Sequence, residues 1–265
     1  MPFITVNGVS LHYELRGRGH DSTIVLTNGL LMNTSGWAHQ AAALTKYYQV
    51  LLYDLRGQGK SEHPQTNYSL NVHVEDLKAL LDALELESVH LAGISYGGEI
   101  SLLFASRFPK MVKTLFISSA VSEVNLPLRK DIQKWVDAAN TGNAKLFYQA
   151  TVADNFSEKW LKKHPEWEKQ SIAYYETLDF DAVIRLCQTA DMMNLTPEIE
   201  KIKVPVMLVV GEKDRLKPYK PYTEAIAKAI QHASTLIIAG AGHACHLEAP
   251  VAWNAALLGF IQLNQ

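Results

Sequence analysis

The chain has 265 residues, of which 48% are hydrophobic and 20% charged, so it can bury the core of one globular domain with a small insertion and is not a disordered chain. Lys and Arg number 25 and Asp and Glu number 27, which gives a net charge of -2 and no excess of positive charge to attract phosphate groups. We therefore expect no nucleic-acid partner.

The first residues and the two cysteines of the chain indicate where in the cell the protein is found. Residues 1–10 lack a basic segment followed by an apolar run, and no stretch reaches the ~18 uninterrupted apolar residues of a membrane helix. Cys187 and Cys245 are too few for a disulfide framework, and they lack the clustered spacing of a zinc site. These features predict a cytoplasmic protein with no membrane partner and no metal.

Short β-type runs alternate with longer helical patterns in the first half of the chain. Residues 3–6 and 11–15, joined by the turn pair Asn7-Gly8, predict a hairpin. Buried strands are then predicted at residues 23–27, 50–53, 89–92 and 114–118, and helices at residues 35–46, 71–86 and 96–108. This alternation is typical of a mostly parallel sheet with helices on both faces, an α/β fold.

The alternation stops at residues 122–200, where helical patterns and nine aromatic residues dominate, and it then resumes. The last elements are predicted at residues 204–210 (strand), 221–230 (helix), 235–239 (strand) and 250–263 (helix). We predict a core domain of residues 1–121 and 201–265 with a helical cap at residues 122–200, hereafter the cap segment. We expect most of its aromatic residues to hold the cap together and a few of them to line an apolar substrate pocket. The pair Met192-Met193 is predicted to fill the core.

The hexapeptide GISYGG at residues 93–98 follows a predicted strand and precedes a predicted helix. This is the pattern G-x-S-x-G in the context that it requires, because a turn this tight strains the backbone of Ser95 and leaves room only for small residues such as Gly93 and Gly97. The turn exposes the Ser95 hydroxyl at the carboxyl edge of the sheet. Ser95 is therefore the candidate nucleophile.

A serine nucleophile needs a base to take its proton and an acid to orient that base. Asp214 follows the strand at 204–210, and His243 follows the strand at 235–239. Both lie past the carboxyl end of a strand, at the same sheet edge as Ser95. His246 is a second candidate base, although it is predicted to open the final helix, and Glu123 is a second candidate acid. The glycine-flanked loop before His243 and the position of Asp214 favour His243 and Asp214.

Two further motifs accompany these residues: DLRGQGKS at 54–61 and HACHLEAP at 243–250. With the order Ser, Asp, His, they make the sequence resemble the α/β-hydrolase family over nearly the whole chain outside the cap segment. The resemblance implies an α/β-hydrolase fold and an enzyme that uses no cofactor, similar to small carboxylesterases and enol-lactonases. Asn28-Gly29-Leu30 stands where the family usually has His-Gly. By the resemblance, the N–H groups of Leu30 and Tyr96 form the oxyanion hole, and the Asn28 amide braces the loop.

The sequence thus predicts a serine hydrolase that cleaves an ester, thioester or lactone of a small, largely apolar acyl substrate through an acyl-enzyme. The partner is this small molecule, and the protein is a monomer or homodimer. Two alternatives remain open: an acyltransferase that passes the acyl group to an alcohol or thiol, and a ligand-sensing protein that retains the three residues but turns over slowly.

Overall fold

Eight strands form one sheet in a computed structural model that describes residues 2–66, 68–189 and 193–265. The strands are β1 (Phe3–Val6), β2 (Val9–Arg16), β3 (Thr23–Thr27), β4 (Gln49–Tyr53), β5 (Val89–Ile94), β6 (Val112–Ser118), β7 (Val206–Gly211) and β8 (Ser234–Ile238). Their order in the sheet is β1-β2-β4-β3-β5-β6-β7-β8. The β1–β2 and β2–β4 pairs are antiparallel and the other neighbours are parallel, as the alternation predicts.

Helices cover both faces of this sheet. The helices outside the cap segment are α1 (Ala38–Leu44), α2 (Leu70–Ala83), α3 (Tyr96–Arg107), α10 (Glu224–Ala229), α11 (Cys245–Glu248) and α12 (Pro250–Leu263). Successive residues of β5 alternate between the two faces of the sheet. Leu91 belongs to the hydrophobic core on the side of α2 and α3, and Ala92 belongs to the hydrophobic core on the side of α1 and α12. Both faces of the central strands β3 and β5 are buried, so these strands are largely apolar, whereas the edge strand β8 is mostly exposed.

The cap segment lies between β6 and β7 and is helical in its described part. Its helices are α4 (Leu126–Ala139), α5 (Ala144–Asn155), α6 (Glu158–Lys163), α7 (Trp167–Tyr175), α8 (Phe180–Gln188) and α9 (Thr196–Ile199). Polar side chains begin several of them: Asn143 accepts hydrogen bonds at the start of α5, and Asp179 does so at the start of α8. Met193 is buried, whereas Met192 lies outside the described residues. No described helix is long and apolar enough to cross a membrane.

Two expectations about the helices differ from the structure. The helix predicted at 35–46 is a 3-10 turn (Thr34–Trp37) followed by α1, because the Asn33 side chain accepts from the Ser35 N–H and closes a tighter turn. His246 does not open the final helix as expected, but lies in the separate helix α11. The break falls before Pro250, whose missing N–H suits the first position of a new helix, α12.

Candidate active site

Ser95 occupies a strained turn between β5 and α3. Its backbone has φ 53 and ψ -121, a conformation that costs energy for a residue with a Cβ. A Cβ at Gly97 would lie 2.2 Å from the Thr27 carbonyl oxygen, and a Cβ at Gly93 would lie 2.3 Å from the Gly97 carbonyl oxygen. Only glycine fits at these two positions, so the G-x-S-x-G pattern is a packing requirement of this turn.

His243 and Asp214 are joined by a hydrogen bond of 2.9 Å between His243 Nδ1 and Asp214 Oδ2. The two residues lie on the loops that follow β8 and β7, and both are buried. The loops meet at Gly211, where a Cβ would lie 2.1 Å from the Gly242 carbonyl oxygen. The bond to Asp214 fixes the orientation of the imidazole ring and directs Nε2 away from the carboxylate.

The competing candidates lie in other surroundings. Both ring nitrogens of His246 lack a hydrogen-bond partner among the described residues, and the ring packs 5.0 Å from that of Trp37. Burial, followed by the nearby His243 and His39, lowers the pKa of His246 to about 3, so this ring is neutral at neutral pH. Glu123 is exposed and accepts a hydrogen bond from the Thr196 hydroxyl. Of the two acids, Asp214 is therefore the one hydrogen-bonded to His243.

The loop after β3 approaches the Ser95 turn closely. The Cβ position of Gly29 is 3.4 Å from Ser95 Cβ, and Leu30 lines the same cavity as Ser95. Asn28 is buried and its Oδ1 accepts a 2.7 Å hydrogen bond from Trp37 Nε1. The Asn28 amide oxygen thus ties the start of this loop to the 3-10 turn that follows it. Tyr96 is the first residue of α3, where backbone N–H groups have no partner within the helix.

The DLRGQGKS turn at residues 54–61 packs against the loop after β3. Asp54 accepts hydrogen bonds from the backbone N–H groups of Thr34 and Lys60 and from His12 Nδ1. Oriented with its amide nitrogen toward them, Gln58 donates to the carbonyls of Gly29 and Met32. The turn therefore positions the loop that carries Leu30.

Arg56, on the same turn, has a structural contact. Its Nε and Nη2 donate to the two carboxylate oxygens of Asp76 on α2 at 2.7 and 2.8 Å, a bidentate pair. The hydrogen bonds to Asp76 raise the pKa of Arg56 above its usual value. Arg56 thus anchors the turn to α2.

A cavity of about 430 Å³ opens at Ser95 and His243. Its wall combines the loop after β3 with side chains of the cap segment. The aromatic residues of the cap segment in this wall are Trp135, Phe156, Trp167, Tyr174 and Tyr175. Sequence periodicity could not select these five from the nine aromatic residues of the segment, because the choice depends on how the cap helices lie over the sheet. The pocket is of the size that binds small molecules.

The cap segment is tied to the core next to this cavity. Glu248 on α11 accepts hydrogen bonds from the Ser157 backbone N–H (2.9 Å) and hydroxyl (2.5 Å), where α6 begins. The backbone N–H of Ala244 donates to the Asn155 carbonyl at 2.9 Å. These contacts hold one end of the cap segment beside His243.

Sequence reasoning missed a buried ion pair at the site. Lys217 Nζ donates to Glu99 Oε1 at 2.5 Å and to Ser95 Oγ at 3.2 Å. Glu99 carried a signal, since it stands four residues after Ser95 on α3 and so shares one side of that helix. Lys217 carried none, because the shape of its loop decides where the side chain points. Within the described residues, no group of three His, Cys, Asp or Glu side chains is arranged to hold a metal ion.

A strained serine between a parallel strand and a helix, with a histidine–aspartate pair at the same sheet edge, is typical of the alpha/beta hydrolase fold. A model of the alpha/beta hydrolase fold family matches residues 22–250, and the chain belongs to this family.

Named relatives are similar over nearly their full length. The chain is 25% identical to 3-oxoadipate enol-lactonase 2 of Acinetobacter baylyi, over 96% of this chain and 94% of that protein. It is 26% identical to a Caulobacter sp. (strain K31) protein named "Putative carbamate hydrolase RutD", over 97% of each chain. The crystal structure of the enol-lactonase from Burkholderia xenovorans LB400 superposes with a TM-score of 0.91 at 27% identity, over 98% of this chain and 100% of that one.

Proposed function

We propose that the protein hydrolyses an ester-type bond of a small acyl substrate, with Ser95 as nucleophile, His243 as general base and Asp214 as the acid that orients it. The observation that carries this proposal is the hydrogen bond from His243 to Asp214 beside a strained serine that opens into the same cavity as His243. Each residue has the chemistry that its role needs: a hydroxyl, a titratable imidazole and a buried carboxylate.

In acylation, Ser95 Oγ attacks the carbonyl carbon of the substrate and its proton passes to His243. The resulting imidazolium is stabilised by the Asp214 carboxylate. The N–H groups of Leu30 and Tyr96 donate to the oxyanion, and the start of α3 adds its dipole there. The bond to the leaving group then breaks, and His243 protonates that group. The product is an ester of Ser95 with the acyl group.

In deacylation, a water molecule attacks the acyl carbon while His243 takes one of its protons. The bond between this carbon and Ser95 Oγ breaks, and His243 returns the proton to Oγ. The acid product leaves and the free serine is restored. Neither step uses a cofactor.

The cavity and the relatives support the proposed substrate class. A cavity of about 430 Å³ with five aromatic side chains from the cap segment suits a small, largely apolar acyl group. One relative is named as an enol-lactonase and another as a carbamate hydrolase, and both names describe cleavage of a bond to an acyl carbon. An ester or lactone is our first candidate, and a carbamate is the second.

The first experiment measures hydrolysis of p-nitrophenyl esters of increasing chain length by the wild type and by Ser95→Ala. Loss of the nucleophile should lower kcat on the order of 10⁶-fold. Ser106→Ala, at the far end of α3, is the control for loss of a serine hydroxyl from the same helix. A fluorophosphonate probe should label the wild type at Ser95. A Ser95→Ala variant with most of its activity would refute the assignment.

Product analysis separates the two alternatives to hydrolysis. With an ester substrate and increasing concentrations of an alcohol or thiol, we expect the free acid as the product throughout. If the amount of acylated alcohol or thiol instead increased with the acceptor concentration, the protein would be a transferase. Negligible turnover at every chain length, together with reversible binding of the esters, would identify a sensor.

A further inference from the structure

A buried lysine contacts the hydroxyl of the candidate nucleophile. Lys217 Nζ lies 3.2 Å from Ser95 Oγ and 2.5 Å from Glu99 Oε1. Lys217 is 6% exposed and Glu99 is 2% exposed, so the pair is almost completely removed from water. Removing an ammonium and a carboxylate from water is costly, and the cost is offset only when both charges are paired.

The position of Lys217 is fixed from several sides. Its backbone N–H donates to Asp214 Oδ1 at 2.8 Å, so one residue contacts Asp214 through its backbone and Ser95 through its side chain. Glu99 is held by α3, the helix that begins directly after Ser95, and its Oε1 also accepts from the Val121 backbone N–H at 3.4 Å. The ammonium is therefore held at one place relative to the reacting oxygen.

An ammonium group donates hydrogen bonds and accepts none. Lys217 thus occupies a lone pair of Ser95 Oγ and leaves the O–H proton of the serine free to be given to His243. When that proton leaves, negative charge develops on Oγ at 3.2 Å from the ammonium. Because the ammonium is buried and held in place, its charge stabilises the developing negative charge more strongly than it stabilises the neutral hydroxyl.

We infer that Lys217 is a further catalytic residue, one that stabilises negative charge on Ser95 Oγ, with Glu99 as the positioning residue that holds its ammonium in place. This inference rests on the proposed function, in which Ser95 is the nucleophile. In acylation, the bond from Oγ to the acyl carbon forms as the serine proton moves to His243. In deacylation, that bond breaks, its electron pair stays on Oγ, and His243 returns the proton. Lys217 keeps its protons in both steps and acts through its charge.

A purely structural ion pair would behave differently. A buried ion pair can often be replaced by two apolar residues of similar size without loss of stability. If Lys217 only neutralised Glu99, a variant that lacks both charges would leave no buried charge unpaired. Its stability and its activity would then both return to the wild-type level. If the ammonium acts on Oγ, the double replacement restores folding and leaves the reaction slow.

The experiment therefore compares the wild type with Lys217→Met and with the double variant Lys217→Met/Glu99→Leu. The single variant leaves a buried carboxylate unpaired, so both its melting temperature and its kcat should fall. The double variant should recover the melting temperature, while kcat stays lower by a factor on the order of 10². Its KM should stay close to that of the wild type, because the cavity wall is intact. Lys217→Gln/Glu99→Gln, a neutral polar pair, is the second test if the apolar pair folds poorly.

Two controls make the result specific. Lys213→Met removes an exposed lysine from the same loop, four residues before Lys217, and should leave kcat unchanged. The rate of labelling by the fluorophosphonate probe reports on attack by Ser95 without the later hydrolysis of an acyl-enzyme. In that reaction the bond from Oγ to phosphorus forms, the bond from phosphorus to fluorine breaks, and the serine proton goes to His243. Labelling of the double variant should be slowed together with kcat.

The outcomes separate this inference from the proposed function. A stable double variant that hydrolyses esters and is labelled at the wild-type rate would overturn the role of Lys217 and leave Ser95 as the nucleophile. A wild type that hydrolyses esters but is not labelled at Ser95, with Ser95→Ala fully active, would overturn the proposed function and this inference with it.

Discussion

His73 on α2 should make the protein sensitive to mild acid. The side chain is 1% exposed, and neither ring nitrogen has a hydrogen-bond partner among the described residues. Its ring lies edge-on to the Tyr96 ring, with the centroids 5.4 Å apart. Burial is the largest cause of a pKa that is lowered from 6.5 to about 4, and Arg56 lowers it further against the opposing effect of Asp76. The folded state therefore favours the neutral form of this histidine.

The sign of the effect follows from proton binding. Between pH of about 6.5 and 4, the unfolded chain binds more protons at this position than the folded protein, so the free energy of unfolding falls as the pH is lowered. A pH of about 5 lies roughly 1.5 units below the pKa of the unfolded chain, so the free energy of unfolding has fallen there by about 2 kcal/mol. His246, with a pKa lowered to about 3 chiefly by burial, contributes a further ~2 kcal/mol at that pH. The two losses together, ~4 kcal/mol, are a large part of the ~5–15 kcal/mol that stabilises a typical domain.

The perturbation is His73→Met, which removes the titrating group and keeps a buried apolar side chain of similar size. Urea unfolding at pH of about 7.5 and 5 gives the free energy of unfolding at each pH. The loss between the two should be smaller in the variant than in the wild type by about 2 kcal/mol. Leu77→Met, one turn further along α2, is the control for a changed core residue without titration. An unchanged loss in His73→Met would refute the reasoning.

Three further substitutions test the packing around the site. Gly97→Ala would place a Cβ 2.2 Å from the Thr27 carbonyl oxygen, so urea unfolding should show a loss of at least ~1–3 kcal/mol, with activity falling as the turn is displaced. Asn28→Ala leaves the buried Trp37 N–H without its acceptor and should cost ~1–3 kcal/mol, measured in the same way, whereas an unchanged stability would contradict a bracing role. Glu248→Gln weakens the charged contact that holds the cap segment, so thermal unfolding should show a loss of ~1.5–3 kcal/mol and steady-state kinetics a higher KM; an unchanged KM would show that this tie does not shape the cavity.

The helix boundaries show where the local pattern of apolar residues is sufficient to predict the structure. The periodicity of residues 71–86 and 96–108 predicts α2 and α3. α2 buries one apolar face, whereas α3 is buried all round from Tyr96 to Ala105. The segment 35–46 has the same kind of pattern, yet its first turn is 3-10, because Asn33 and the tie between Asn28 and Trp37 set its geometry. Side-chain hydrogen bonds of this kind are not visible in periodicity.

The sequence by itself determined the α/β architecture and the placement of Ser95, Asp214 and His243 at one sheet edge. It could do so because strand and helix periods are local, and because parallel strands carry their following loops to the same edge. The tertiary structure alone brought Lys217 to Ser95, which precedes it by 122 positions, and selected which aromatic residues of the cap segment line the cavity. Such contacts depend on how separate loops and helices pack against each other, and a pattern read along one segment carries no information about the neighbour that it meets.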